Sequence, residues 1–310
     1  MMKLRRLAVV PVVLAAVLGT TAATWPSSPT PLPQAPPALT ASALSARYAA
    51  DAQAIGSAER TADRDGNTQL AGALAELHTQ HVLFFSSAGN GLAAMVLGNL
   101  ATATRVAILV PGSDTTLATF FSRGPSAPGG GAFALAAQAR RLDPGARLAV
   151  IAWLGYPAPA MLSPSVLTSG DAGQGAQALR PLVDALARHG DQVALLCHSY
   201  GSVVCGLAAP HLPVTDIAVF GSPGMDASSV ITLDTGARVW AGRETSDPIQ
   251  WVPHLRLFGL GFGADPMSPE FGARIFATGD GGHSGYLDPG SASLANLTYI
   301  ALGDAAAVTR

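Results

Sequence analysis

Three stretches of the chain are apolar at every position: "VAILV" at 106–110, "LAVIAWL" at 148–154 and "VALLC" at 193–197. A strand with one face in water alternates apolar and polar residues, so a short run without alternation is a strand covered on both faces. Between these runs lie two stretches of helical pattern. They are "GGAFALAAQARRLDPG", with a Pro-Gly stop, and "DAGQGAQALRPLVDALARHG", ending at Gly190. Strands alternating with helices need crossover connections, which predicts an α/β fold with a mostly parallel central sheet flanked by helices. "HVLFFSS" and "GLAAMVLGNL" are candidate strands before the three runs. "VTDIAVF" and "ARVWAG" are candidates after them, and a last helix falls within "SASLANLTYIALGD". In such a sheet, chemistry collects in loops at the carboxyl ends of the strands. The loops of interest therefore follow Val110, Trp153, Cys197, Phe220 and Trp240.

The start of the chain reads differently. "MMKLRR" is a short basic segment, "LAVVPVVLAAVLG" an apolar one, and "TTAA" offers small residues for cleavage near Ala22 or Ala23. This pattern predicts an export signal over residues 1–23; the competing reading is an uncleaved anchor, which Pro11 and the short apolar run disfavour. "WPSSPTPLPQAPP" then predicts an extended linker over 24–38. Residues 39–80, rich in Ala with apolar residues at helical spacing and broken by "DRDGN", predict an N-terminal helical region. The α/β domain then covers 81–310. Its expected location is outside the cell or in the cell envelope.

With 310 residues the chain is long enough for one large α/β domain. Only 12% of residues are charged, the net charge is -2, and no basic run occurs after the first six residues, which argues against a nucleic-acid partner. The histidines are scattered, without metal-ligand spacing, so no metal is expected. "GGGAF" at 129–133 lacks the lysine of a phosphate-binding loop. No cofactor is expected.

Ser199 stands where the run "VALLC" meets the small-residue stretch "YGSVVCGLAA". Its frame, Cys197-His198-Ser199-Tyr200-Gly201, has the form small-x-nucleophile-x-small. A serine on a strained strand-to-helix turn needs small residues two positions either side, because the helix presses on the strand there. Cysteine at the first of these positions departs from the commoner glycine. The alternative is a strand-to-helix connection without chemistry.

A nucleophilic serine needs a histidine base and an acid to orient it, and on this turn they follow in the order Ser, Asp or Glu, His. His283, in the glycine-rich "TGDGGHSGYLDPGS", is the preferred base over His211 and His254. Asp247, in "ETSDPI", is the preferred acid: it follows a strand, and the next proline suits a first helical turn. Asp265 shares the Asp-Pro pairing and is its rival, and Glu244 is a third candidate. For an oxyanion the N–H of Tyr200 is one expected donor. The second is the N–H of Ser113, or of Asp114, after the strand end at Pro111-Gly112. Cys197 and Cys205 lie on the two sides of the turn and form either a disulfide or two small buried thiols.

The pieces "VAILVPGSD", "VIAWLGYPAP", "CHSYGSVV", "ETSDPI", "ADPMSPEFGARIF" and "GGHSGYLDPGS" together resemble a secreted serine α/β-hydrolase of the actinobacterial type, over roughly residues 80–300. The "SDPI" and "GGHSGY" pieces are also similar to those of cutinase-like esterases. The resemblance implies Ser199 as nucleophile, Asp247 as acid, His283 as base, and neither metal nor cofactor. The expected function is hydrolysis of carboxylic esters, with a small, apolar acyl ester as the substrate partner and a membrane or cell-envelope association as a further one. Two other functions stay open: an acyltransferase with the same three residues, and a non-catalytic envelope binding protein. Two apolar loops, "GYPAPAMLSPSVLTSG" and "HLRLFGLGFGADPM", are candidates for lining the acyl site.

Overall fold

The computed structural model describes residues 38–310 except 123 and 258. The predicted export signal, and the linker as far as residue 37, lie outside the described residues. The described chain opens with two helices, α1 (Ala41–Arg64) and α2 (Thr68–His78), packed on each other. Thr40 caps the first and Asn67 the second, each side chain accepting from a backbone N–H of the first turn.

The remainder builds an eight-stranded sheet. Its strands are β1 (His81–Ser86), β2 (Leu92–Leu97), β3 (Arg105–Val110), β4 (Leu148–Leu154), β5 (Gln192–His198), β6 (Asp216–Phe220), β7 (Arg238–Gly242) and β8 (Arg274–Ile275). The order across the sheet is β1-β2-β4-β3-β5-β6-β7-β8. β2 runs antiparallel to both of its neighbours, and every pairing from β4 to β8 is parallel. The apolar runs are the central strands β3, β4 and β5, and they are buried almost end to end.

Four helices flank the sheet: α3 (Pro128–Leu142), α4 (Gly170–His189), α5 (Gly201–Ala208) and α6 (Ala292–Leu302). α3 packs with α6, and α4 with α5. Gly190 ends α4 in the left-handed region at φ 96°, where a glycine stop was expected.

Strand register puts the loops of interest side by side. Val110 pairs with Cys197, Cys197 with Val219, His198 with Phe220, and Phe220 with Gly242. The carboxyl ends of β3, β5, β6 and β7 thus form one row, and the residues after them meet above it.

Candidate active site

Ser199 follows the last residue of β5 with φ 52°, a left-handed conformation that non-glycine residues rarely adopt. Such backbone costs on the order of 1–3 kcal/mol and persists where the surroundings over-determine it. Here they do. The Ser199 N–H donates to the Phe220 carbonyl at 3.0 Å. Gly201 lets α5 approach β3: a Cβ at this position would lie 2.7 Å from the Pro111 carbonyl oxygen. Cys197 and Cys205 are disulfide-bonded, with Cα atoms 6.5 Å apart, so the strand and the helix are also joined covalently.

His283 reaches Ser199 from the glycine-rich loop between β8 and α6. Its Nε2 lies 2.8 Å from Ser199 Oγ, and its Nδ1 lies 3.0 Å from each oxygen of Asp247. Asp247 is fully buried just past β7. It caps the short 3₁₀ turn Pro248–Trp251, accepting from the Ile249 N–H at 2.8 Å. The Tyr286 hydroxyl donates to its other oxygen at 2.6 Å. Burial alone would raise the Asp247 pKa, but the hydrogen bonds from His283, Tyr286 and Ile249 outweigh it and hold the carboxyl below its ordinary range. Gly221, at φ 57°, makes room: a Cβ there would lie 3.0 Å from Asp247 Oδ2 and 3.2 Å from the His283 ring.

The loop after β3 completes the wall. A Cβ on Gly112 would lie 2.7 Å from the Ser199 Cβ, so backbone approaches the serine as only glycine permits. The loop is strapped to the segment after β4. Tyr156 donates to the Pro111 carbonyl at 2.7 Å, the Asp114 N–H donates to the Pro159 carbonyl at 3.0 Å, and Asp114 Oδ1 accepts from the Met161 N–H at 2.8 Å. The Asp114 N–H is therefore committed elsewhere. The N–H groups of Ser113 and Tyr200 have no acceptor among the described residues. Ser113, Ser199, His283 and Met161 line a cleft of about 90 Å³. Of the two apolar loops expected around it, the first supplies Met161, and the second supplies none of its lining among the described residues.

The other sequence candidates sit apart. Asp265 pairs with Arg243 at 2.9 Å and caps the Met267 N–H. His254 stands 3.7 Å from Asp265, and exposed His211 pairs with Asp234 at 3.2 Å. Glu244 lies buried beneath the His283 loop, close to Gly281 and Gly285. Among the described residues no three His, Cys, Asp or Glu side chains are grouped to hold a metal ion.

Two residues of the site carry no sequence assignment. Tyr286 orients Asp247, and its hydroxyl accepts from the Glu244 N–H at 3.0 Å. His198 donates through Nε2 to the backbone carbonyl of His283 at 2.8 Å. Their only sequence signals were adjacency to Ser199 and a place three residues after His283.

Two uncharacterized proteins of Mycobacterium tuberculosis, from strains CDC 1551 / Oshkosh and ATCC 25618 / H37Rv, are each 33% identical over 249 residues, covering 69% of this chain. The match spans 37% of the length of those relatives. Among solved structures, an α/β serine hydrolase without a lid from Xanthomonas campestris is 14% identical, with 69% of this chain and 89% of that one covered and a TM-score of 0.41. The esterase LipW from Mycobacterium marinum is 15% identical, with 86% and 91% covered and a TM-score of 0.41. At those scores neither says anything about substrate. The family model described as alpha/beta hydrolase matches residues 86–257, more than half of the chain, and so this chain belongs to the α/β-hydrolase family.

Proposed function

We propose that the protein is a serine hydrolase that cleaves small, uncharged carboxylic esters by acyl transfer to water. The observation that carries this reading is the unbroken hydrogen-bond chain from Ser199 through His283 to buried Asp247, starting from a strained turn of the nucleophile-elbow type. Ser199 Oγ attacks the ester carbonyl carbon while His283 Nε2 takes its proton. Asp247 holds the Nδ1–H and balances the imidazolium. The N–H groups of Tyr200 and Ser113 receive the oxyanion. As the C–O bond breaks, His283 returns the proton to the leaving alkoxide. Water then repeats the sequence on the acyl-enzyme and releases the acid. Action outside the cytoplasm fits both the predicted export signal and the Cys197–Cys205 bridge.

The test is labelling of the purified protein with a fluorophosphonate probe, beside Ser199→Ala and His283→Ala. The expected outcome is labelling of the wild type and loss in both variants. A folded wild type that is not labelled would overturn the reading.

A further inference from the structure

We propose that His198 is a positioning residue for this reaction, a fixed Nε2–H donor that sets where the His283 ring stands over Ser199. The inference rests on the function proposed above and adds a residue to it. His198 is the last residue of β5, immediately before Ser199. Its ring donates to the His283 carbonyl at 2.8 Å, so the strand that carries the serine also holds the backbone of the base.

The loop needs such a tether. Residues 279–285 include Gly279, Gly281, Gly282 and Gly285, and glycine loses more backbone freedom on ordering than any other residue. On the β7 side the loop is tied by the N–H groups of Thr245 and Ser246, which donate to the Gly279 and Gly281 carbonyls at 3.2 Å. On the β5 side, the His283 carbonyl has His198 as its one partner among the described residues. Without it, the bonds left to His283 itself are those of its side chain to Ser199 and Asp247, within the turn closed by the Gly285 N–H on the Gly282 carbonyl.

The donor is also locked. A carbonyl oxygen only accepts, so Nε2 carries the hydrogen. The ring lies 5.3 Å from Phe220, 5.8 Å from Tyr286 and 4.9 Å from the His283 ring, centroid to centroid. Burial, and then the charge that His283 acquires, push the His198 pKa down to about 3, against weaker opposing effects from its bond to the His283 carbonyl and from Asp247. His198 therefore stays neutral while His283 takes and returns its proton. The donor persists through the cycle, and no second cation forms beside the imidazolium.

The test compares His198→Phe, which keeps a ring and loses the donor, with His198→Gln, which keeps an N–H donor. Hydrolysis of p-nitrophenyl acetate, thermal midpoints and amide exchange of residues 279–285 are read in each. We expect His198→Phe to lower kcat by about 10- to 100-fold, with KM changed by less than about twofold. His198→Gln should recover most of kcat at a similar thermal midpoint, and the loop amides should exchange faster in the Phe variant than in the Gln variant. Equal kcat in the two variants would overturn the proposal, whether lowered or like wild type. In the wild type, ¹⁵N NMR should find His198 in the Nε2–H form without titration between about pH 5 and 8. A titrating ring, or the other tautomer, would also overturn it. If the folded wild type has no turnover, the ester reading fails, while loop exchange and the ring's tautomer still decide whether His198 is the tether.

Discussion

Asp216 and Asp247 are both fully buried, and they sit at opposite ends of β6 and β7. Each is saturated with donors. Asp216, at the amino end, accepts two bonds of 2.7 Å from Arg238 and one of 2.8 Å from Trp240 Nε1. Asp247, past the carboxyl end, accepts from His283, Tyr286 and Ile249. Burial and hydrogen bonding are thus the same at both ends and mark neither as functional. The partners differ. Arg238 is a permanent cation, so the Asp216 pair has one state and can only hold the strands together. His283 is an imidazole whose other nitrogen lies 2.8 Å from Ser199 Oγ, so in the proposed mechanism the Asp247 pair passes through two states. Glu244 is a third case: it is buried, and its Oε2 has no hydrogen-bond partner among the described residues.

Isosteric amides at the two aspartates would break the comparison if their effects were alike. Asp247→Asn should lower kcat by about 10⁴-fold, because the amide no longer favours the required tautomer or balances the imidazolium. Asp216→Asn should leave kcat per folded molecule unchanged and cost about 3 kcal/mol in urea unfolding, at the low end for a broken buried pair because Arg238 is partly exposed. The folded pKa of Asp247 is depressed, so its stabilising contribution is complete above about pH 4 and fades as pH falls through the lower folded value. In the range where imidazoles titrate Asp247 stays ionised, so it adds no ionisation of its own to the acid limb of kcat/KM.

Glu244 sharpens the comparison with a smaller effect. Burial first, then the nearby charges of Asp288, Asp247 and Asp280, push its pKa up to about 7. The folded state keeps a proton that the unfolded chain releases from about pH 4.5 upward. Wild-type stability therefore falls as pH rises through that window and levels off above it. Glu244→Gln should gain up to ~3 kcal/mol at pH 8 and nothing at pH 4 in paired urea melts. An equal gain at both would mean the carboxyl is not the cause.

The sheet was legible because strands buried on both faces leave uninterrupted apolar runs, and β3, β4 and β5 do. Ser199, Asp247 and His283 stood out because small neighbours and a required chain order leave few choices. Other features depend on contacts that no local pattern encodes. Asp247 and Asp265 both precede proline, and only the folded contacts tell them apart: Asp247 meets His283, and Asp265 pairs with Arg243. Ser113 and Asp114 are distinguished by the Pro159 carbonyl, which takes the Asp114 N–H. His198 went unassigned because its acceptor is a backbone carbonyl 85 residues away, which any residue could supply. Tyr286 went unassigned because its hydroxyl meets Asp247 across 39 residues.

In the proposed mechanism Ser199 carries the acyl group, and mass spectrometry of the protein quenched during turnover of p-nitrophenyl butyrate detects where that group sits. The expected result is a butyryl adduct on the peptide containing Ser199, absent in Ser199→Ala. Turnover at the wild-type rate by Ser199→Ala, or an adduct on another residue, would contradict it.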